Sequence, residues 1–153
     1  MLNDQSPHVL HFSGHGGGQT LEFDDGAMTD PEGQIVTLEQ LAGALGATDR
    51  APQVLVLNAC DTLDGAEVLL PAVPVIIATA RSITDLAANL FAVTFYRAIA
   101  SGRSVGHAVE QARYMIDTLT GGGGDVIETL ARTDVDLAAY VLVREPDVAD
   151  SVR

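Results

Sequence analysis

The chain has 153 residues, enough for one domain with a buried core. With 21 acidic against 8 basic residues and a net charge of −13, it has no basic surface to neutralise phosphates, which excludes nucleic acid and an anionic membrane surface as partners. Apolar residues make up 47% and there is one cysteine, so the chain is globular and forms no internal disulfide.

No charged-then-apolar signal segment opens the sequence, and no apolar run approaches the ~18 residues of a membrane span. A cytoplasmic protein is expected. In chain order, His8 to Ser13 reads as a strand. It runs into Gly14-His15-Gly16-Gly17-Gly18, which predicts a sharp turn or loop. Thr20 to Phe23 alternates and suits a hairpin strand. Asp24 to Gln34 reads as a loop. Thr37 can cap a helix with Gln40 as its capping-box partner. That helix sets Leu38, Leu41, Ala42 and Leu45 on one face and ends near Gly46.

Gln53 to Ala59 is nearly all apolar, typical of a strand buried on both faces. Val73 to Thr79 is a second such run. Two helical stretches follow, about Thr84 to Ser101 and Ser104 to Thr120, parted by Gly102. Gly121 to Gly124 is a break, and Leu137 to Val143 reads as a last strand. The predicted domain covers 1–144, with a tail over 145–153.

Apolar strands alternating with amphipathic helices predict an α/β fold with a mostly parallel sheet. In such sheets, sites lie at the carboxyl ends of the strands. His15 follows one strand end and Cys60 the next long one. Neighbouring strands lie about 4.8 Å apart, so these residues can share a cleft. A thiol attacks a carbonyl as the thiolate, and an imidazole can take its proton and later protonate the leaving amine. The Gly16 and Cys60 N–H groups are the natural pair of oxyanion donors.

The segments His11-Phe-Ser-Gly-His-Gly16 and Leu57-Asn-Ala-Cys-Asp-Thr62 resemble the two catalytic motifs of caspase-like cysteine peptidases, in particular the bacterial CHAT domain. That family carries H-F-x-G-H-G, then L-x-A-C-[ED]-T. Its downstream motifs match Val73 to Thr79, Asp85 to Ala88, Phe95 to Gly102, Ala108 to Arg113 and Ala139 to Leu142. The resemblance spans about residues 8 to 144. It implies a three-layer sandwich, with a caspase-like sheet flanked by helices. It also implies a cysteine endopeptidase acting on a protein or peptide substrate, in bacterial signalling or defence and without a cofactor or metal. His15 is then the general base and acid, and Cys60 the nucleophile. Gly16 and Cys60 are the oxyanion donors, and His11 and Asp61 are supporting residues. Arg81 and Ser82, in the segment that lines the family's substrate groove, are expected to meet substrate.

Two departures stand out. The family often has a Trp in the groove segment, where this chain reads Ala80-Arg-Ser-Ile-Thr-Asp85. It also places two strands and a helix before the His motif, where Met1 to Pro7 stand here. The His8–Ser13 strand is then expected at a bare sheet edge, which proteins seldom leave open. A homodimer or a partner chain pairing with that edge is the expected remedy, unless the chain is a fragment of a longer protein.

The main alternative is an inactive caspase-like module for interaction or regulation. A lesser one is a serine esterase. His15-Gly-Gly-Gly18 matches an esterase oxyanion motif and Gly102-Arg-Ser-Val-Gly106 matches G-x-S-x-G, but the elbow serine needs a strand before it. Ser104 is better read as a helix N-cap. A metal site at His8, His11, His15 and Cys60 is disfavoured, because His8 and His11 face opposite sides of a strand.

Overall fold

The computed structural model describes residues 5–23 and 34–144. Of the predicted loop Asp24 to Gln34, residues 24–33 lie outside the described residues, as does the tail over 145–153, and Gln34 opens a strand instead.

Seven strands and three α-helices are described, in two sheets. The first strands are β1 (Val9–Ser13), β2 (His15–Gly17), β3 (Thr20–Phe23) and β4 (Gln34–Thr37), followed by helix α1 (Leu38–Gly46). Then come β5 (Val54–Asn58), β6 (Val75–Thr79), helix α2 (Asp85–Ala100), helix α3 (Val105–Thr120) and β7 (Ile127–Ala131). The main sheet has the order β1-β5-β6-β7, and β2-β3-β4 form a small antiparallel sheet. β1, β5 and β6 are mutually parallel, and β7 runs antiparallel to β6.

Side-chain alternation along a strand sends successive residues to opposite faces. Both faces of β5 and β6 are buried, which is why each reads as an unbroken apolar run. Val54, Val56, Val75 and Ile77 pack under α2 and α3, with Phe91, Phe95 and Ile116. Leu55, Leu57, Ile76 and Ala78 pack on the other side, against α1 residues Leu38 and Leu45 and the β3 residue Leu21. The result is a three-layer α/β sandwich with a mostly parallel sheet.

The helix starts follow from capping chemistry. Thr37 accepts from the Gln40 N–H while the Gln40 side chain accepts from the Thr37 N–H, a full capping box. Thr84 accepts from the Ala87 N–H, and Ser104 from the His107 N–H.

Two predicted elements differ. The Gly14–Gly18 run is not all loop. His15–Gly17 pairs with Thr20–Glu22 as β2, and Gly18 and Gln19, at φ 57° and 65°, make the tight turn. The closing strand is Ile127–Ala131 rather than Leu137–Val143. The latter run crosses the start of α3, where the Val105 N–H donates to the Tyr140 carbonyl and the Gly106 N–H to the Leu137 carbonyl. These bonds satisfy donors that a helix N-terminus leaves orphaned. The chain is held in β7 at both ends. Arg113 donates to the Ile127 carbonyl, and Arg132 to the Leu70 and Pro71 carbonyls. No helix among the described residues is long and apolar enough to cross a membrane.

Candidate active site

β1 and β5 pair in parallel from Val9↔Val54 to Ser13↔Asn58. His15 and Cys60 each stand two residues beyond these last partners, at the carboxyl edge of the sheet. Tight packing joins the two strand ends. A Cβ placed on Gly16 would lie 3.3 Å from the Ala59 Cβ and 3.2 Å from the Thr62 Cγ2. The residue after His15 therefore packs directly on the residue before Cys60, and a side chain there would have to push its neighbours back by a few tenths of an ångström. This glycine serves close approach; its φ is ordinary.

The Cys60 turn is fixed from below by two buried hydroxyls. Thr62 Oγ1 lies 3.1 Å from both the Leu57 and Ala59 carbonyls and accepts from the Thr79 N–H at 3.1 Å. Thr79 Oγ1 donates to the Ala59 carbonyl. The network ties the end of β5 to the end of β6, directly beneath Cys60. Asp61, exposed, adopts φ 52°, a left-handed conformation that Asp tolerates better than most residues. Its N–H points to the Arg81 carbonyl at 3.4 Å, joining the turn to the next loop. Among the described residues, no acceptor takes the Cys60 N–H.

His15 is exposed and opens β2, with Glu22 directly opposite on β3. Directly opposed residues share a face of a β-ribbon, so a carboxylate stands across from the imidazole. Cys60 is half-buried, and its Sγ lies 4.0 Å from the Ile83 carbonyl, just before α2.

His11 is placed elsewhere. Its Nδ1 is 2.7 Å from the Tyr96 hydroxyl, on the α2 side of the sheet. Burial lowers the His11 pKa from its ordinary value and pushes Tyr96 up to about 12. Ser82 is exposed on the loop between β6 and α2. Arg81, on the same loop, is ion-paired to Asp125, both being well exposed. Such a surface pair is worth under about 1 kcal/mol, so Arg81 can exchange partners easily. Ser104 does not sit on a nucleophile elbow: a helix, α2, ends at Ala100 before it, and its hydroxyl caps α3. No group of three or more His, Cys, Asp or Glu among the described residues is arranged to hold a metal.

Sequence reasoning missed the Thr62–Thr79 buttress, Asn58 and Glu22. Thr62 lay in plain view within the second motif, and Glu22 within the predicted hairpin strand. Thr79 had no local signal, because its role exists only across neighbouring strands.

A family model described as CHAT domain matches residues 1–120. No curated protein matches the chain.

Proposed function

The chain belongs to the CHAT domain family, and from that premise we propose that it is a cysteine endopeptidase with a His15/Cys60 dyad, cutting a protein substrate in bacterial signalling or defence. The observation that supports this reading is the contact of Gly16 with Ala59 and Thr62, which sets the two motifs side by side at neighbouring strand ends.

In the proposed reaction His15 takes the Cys60 proton, and the thiolate adds to the scissile carbonyl carbon. The oxyanion is held by the Cys60 N–H, which has no acceptor among the described residues, and by the Gly16 N–H. The C–N bond breaks as His15 returns the proton to the leaving amine. Water then hydrolyses the thioester, with His15 again as base. Asp61 holds the Cys60 turn to the Arg81 loop. Arg81 and Ser82 lie beside this turn, where they can meet substrate.

The test is thiol reactivity. At about pH 6 a free thiol is almost wholly protonated, so an activated Cys60 reacts with iodoacetamide faster than a free thiol, and His15→Ala removes the excess. A rate equal to that of a free thiol and unaffected by His15→Ala sinks the dyad. In a peptide library, cleavage should vanish in Cys60→Ala.

A second reading, an inactive interaction or regulatory module, is favoured by one observation. The hydrogen-bond contact of Cys60 Sγ is with the Ile83 carbonyl, at 4.0 Å. Catalytic hydrogen bonds often tighten only with substrate bound, so the labelling test decides between the two.

The sheet edge enters the proposal as well. Among the described residues β1 pairs only with β5, and we propose that a second copy of the chain adds a strand to its outer edge.

A further inference from the structure

A cavity of about 420 Å³ lies beside the Cys60 turn, lined by His11, Ser13, Asn58, Asp85 and Asn89, with Ala88 and Ala92. Its position is set by the same strand ends as the site. Ser13 and Asn58 are the last paired residues of β1 and β5. The Asn58 Nδ2 donates to the Ala88 carbonyl at 3.1 Å, while the Cys60 Sγ lies against the Ile83 carbonyl. The cavity therefore opens between the two strand ends and the first turns of α2. Pockets that hold small organic groups begin at about 300 Å³, and an extended amino-acid side chain fits this one.

Its chemistry is one-sided. Asn58 is 6% exposed, and its Oδ1 is, among the described residues, the buried side-chain oxygen or nitrogen without a hydrogen-bond partner. The amide cannot be flipped to relieve this, because Nδ2 must face the Ala88 carbonyl. A buried acceptor left unmet costs about 1–3 kcal/mol, so a donor is wanted there. Asp85 brings a carboxylate to the same wall, and among the described residues it has no basic partner. No Lys or Arg lines the cavity. His11 is engaged by Tyr96, and its burial disfavours the charged imidazole.

We propose that this cavity is the subsite for a basic side chain, Lys or Arg, of the substrate residue at the scissile bond, with Asp85 pairing its charge and Asn58 Oδ1 accepting one of its N–H groups. This rests on the peptidase reading for its biological meaning, but its binding chemistry does not need a working dyad. Both side chains carry several donors and a positive charge, and their methylene stems suit Ala88 and Ala92.

The test uses the full chain carrying Cys60→Ser, titrated with N-acetyl-arginine amide, N-acetyl-lysine amide and the neutral N-acetyl-norleucine amide, and followed by amide NMR. The basic probes are expected to shift the Asn58 side-chain amide and the Asp85 backbone amide, and the norleucine probe to leave them in place. Asp85→Asn should weaken the basic probes at least about tenfold, while Asp85→Glu retains them. Equal shifts with norleucine, no response at Asn58, or undiminished binding in Asp85→Asn overturn the proposal. The backbone spectrum of each variant reports its fold in the same experiment. An inert Cys60 in the labelling test would sink the peptidase reading and leave the subsite standing. Cleavage only after neutral or acidic residues would do the reverse.

Discussion

Gly16 and Ala59 are in contact through the absence of a side chain: a Cβ on Gly16 would stand 3.3 Å from that of Ala59 and 3.2 Å from the Thr20 carbonyl oxygen. The Thr20 oxygen belongs to a paired backbone and cannot yield easily. Gly16→Ala is therefore expected to push the His15 strand off the Cys60 turn. The neighbours must give by a few tenths of an ångström, and since about 1 Å of misplacement costs on the order of a hundredfold in rate, a loss of roughly threefold to tenfold is expected. The Cys60 labelling rate and peptide kcat/KM should fall together, while Tm drops by only a few degrees, about what 1–2 kcal/mol produces in a domain of this size. Unchanged kinetics in a folded variant would separate the packing from the chemistry.

Thr62→Val keeps the shape of the side chain and removes its hydroxyl. The Thr79 N–H then loses its acceptor in a buried setting. A cost of about 1–3 kcal/mol is expected, measured by chemical denaturation. Thr79→Val should cost a similar amount, and the double variant less than the sum, because both remove parts of one network. Strict additivity would mean that the hydroxyls act independently.

His11 gives the protein a pH-dependent stability. Burial lowers its folded pKa, while in the unfolded chain it titrates near the ordinary value of 6.5. As pH falls through that value, the unfolded state takes up the proton first, so stability present at neutral pH is lost toward lower pH. Tm should fall between about pH 7.5 and about pH 5, and less steeply in His11→Gln. Tyr96 acts at the other end. It is pushed up to about 12, so the unfolded chain loses its phenolic proton first and stability falls above about pH 10. Parallel pH profiles for wild type and variant would remove His11 as the cause.

Ser104→Ala tests the esterase alternative. The hydroxyl caps α3, so the expected result is a loss of about 1 kcal/mol in stability with thiol-dependent cleavage unchanged. Loss of hydrolysis with stability intact would instead make Ser104 a nucleophile.

The exposed edge of β1 is read by light scattering after size-exclusion. A dimer that dissociates when Val9, whose N–H faces away from β5, is replaced by Pro fits strand addition, with the circular dichroism of the isolated monomer showing that the fold survives. A clean, stable monomer counts against pairing of copies.

Much of this was legible in the amino-acid order. Unbroken apolar runs over Val54–Asn58 and Val75–Thr79 marked strands buried on both faces, because a central strand has no solvent side. Thr37 and Ser104 announced their helices, because capping is a local reaction of a side chain with the next turn. Placing His15 and Cys60 beyond successive strands needed only the rule that sites gather at the carboxyl ends of a parallel sheet.

The tertiary structure alone decided which of two later segments completes the sheet. Leu137 to Val143 is the more apolar run, yet Ile127–Ala131 pairs with β6. Hydrophobic attraction has no direction. It buries a run without choosing its hydrogen-bond partners, and the orphaned N–H groups of α3 claimed the Tyr140 and Leu137 carbonyls. The same holds at the site. The sequence determined that a histidine and a cysteine each follow the end of a strand. That Gly16 touches Ala59, that Thr79 props the turn beneath Cys60, and that Asn58 keeps one oxygen unmet beside Asp85 are contacts between distant stretches of chain. Only packing brings those stretches together.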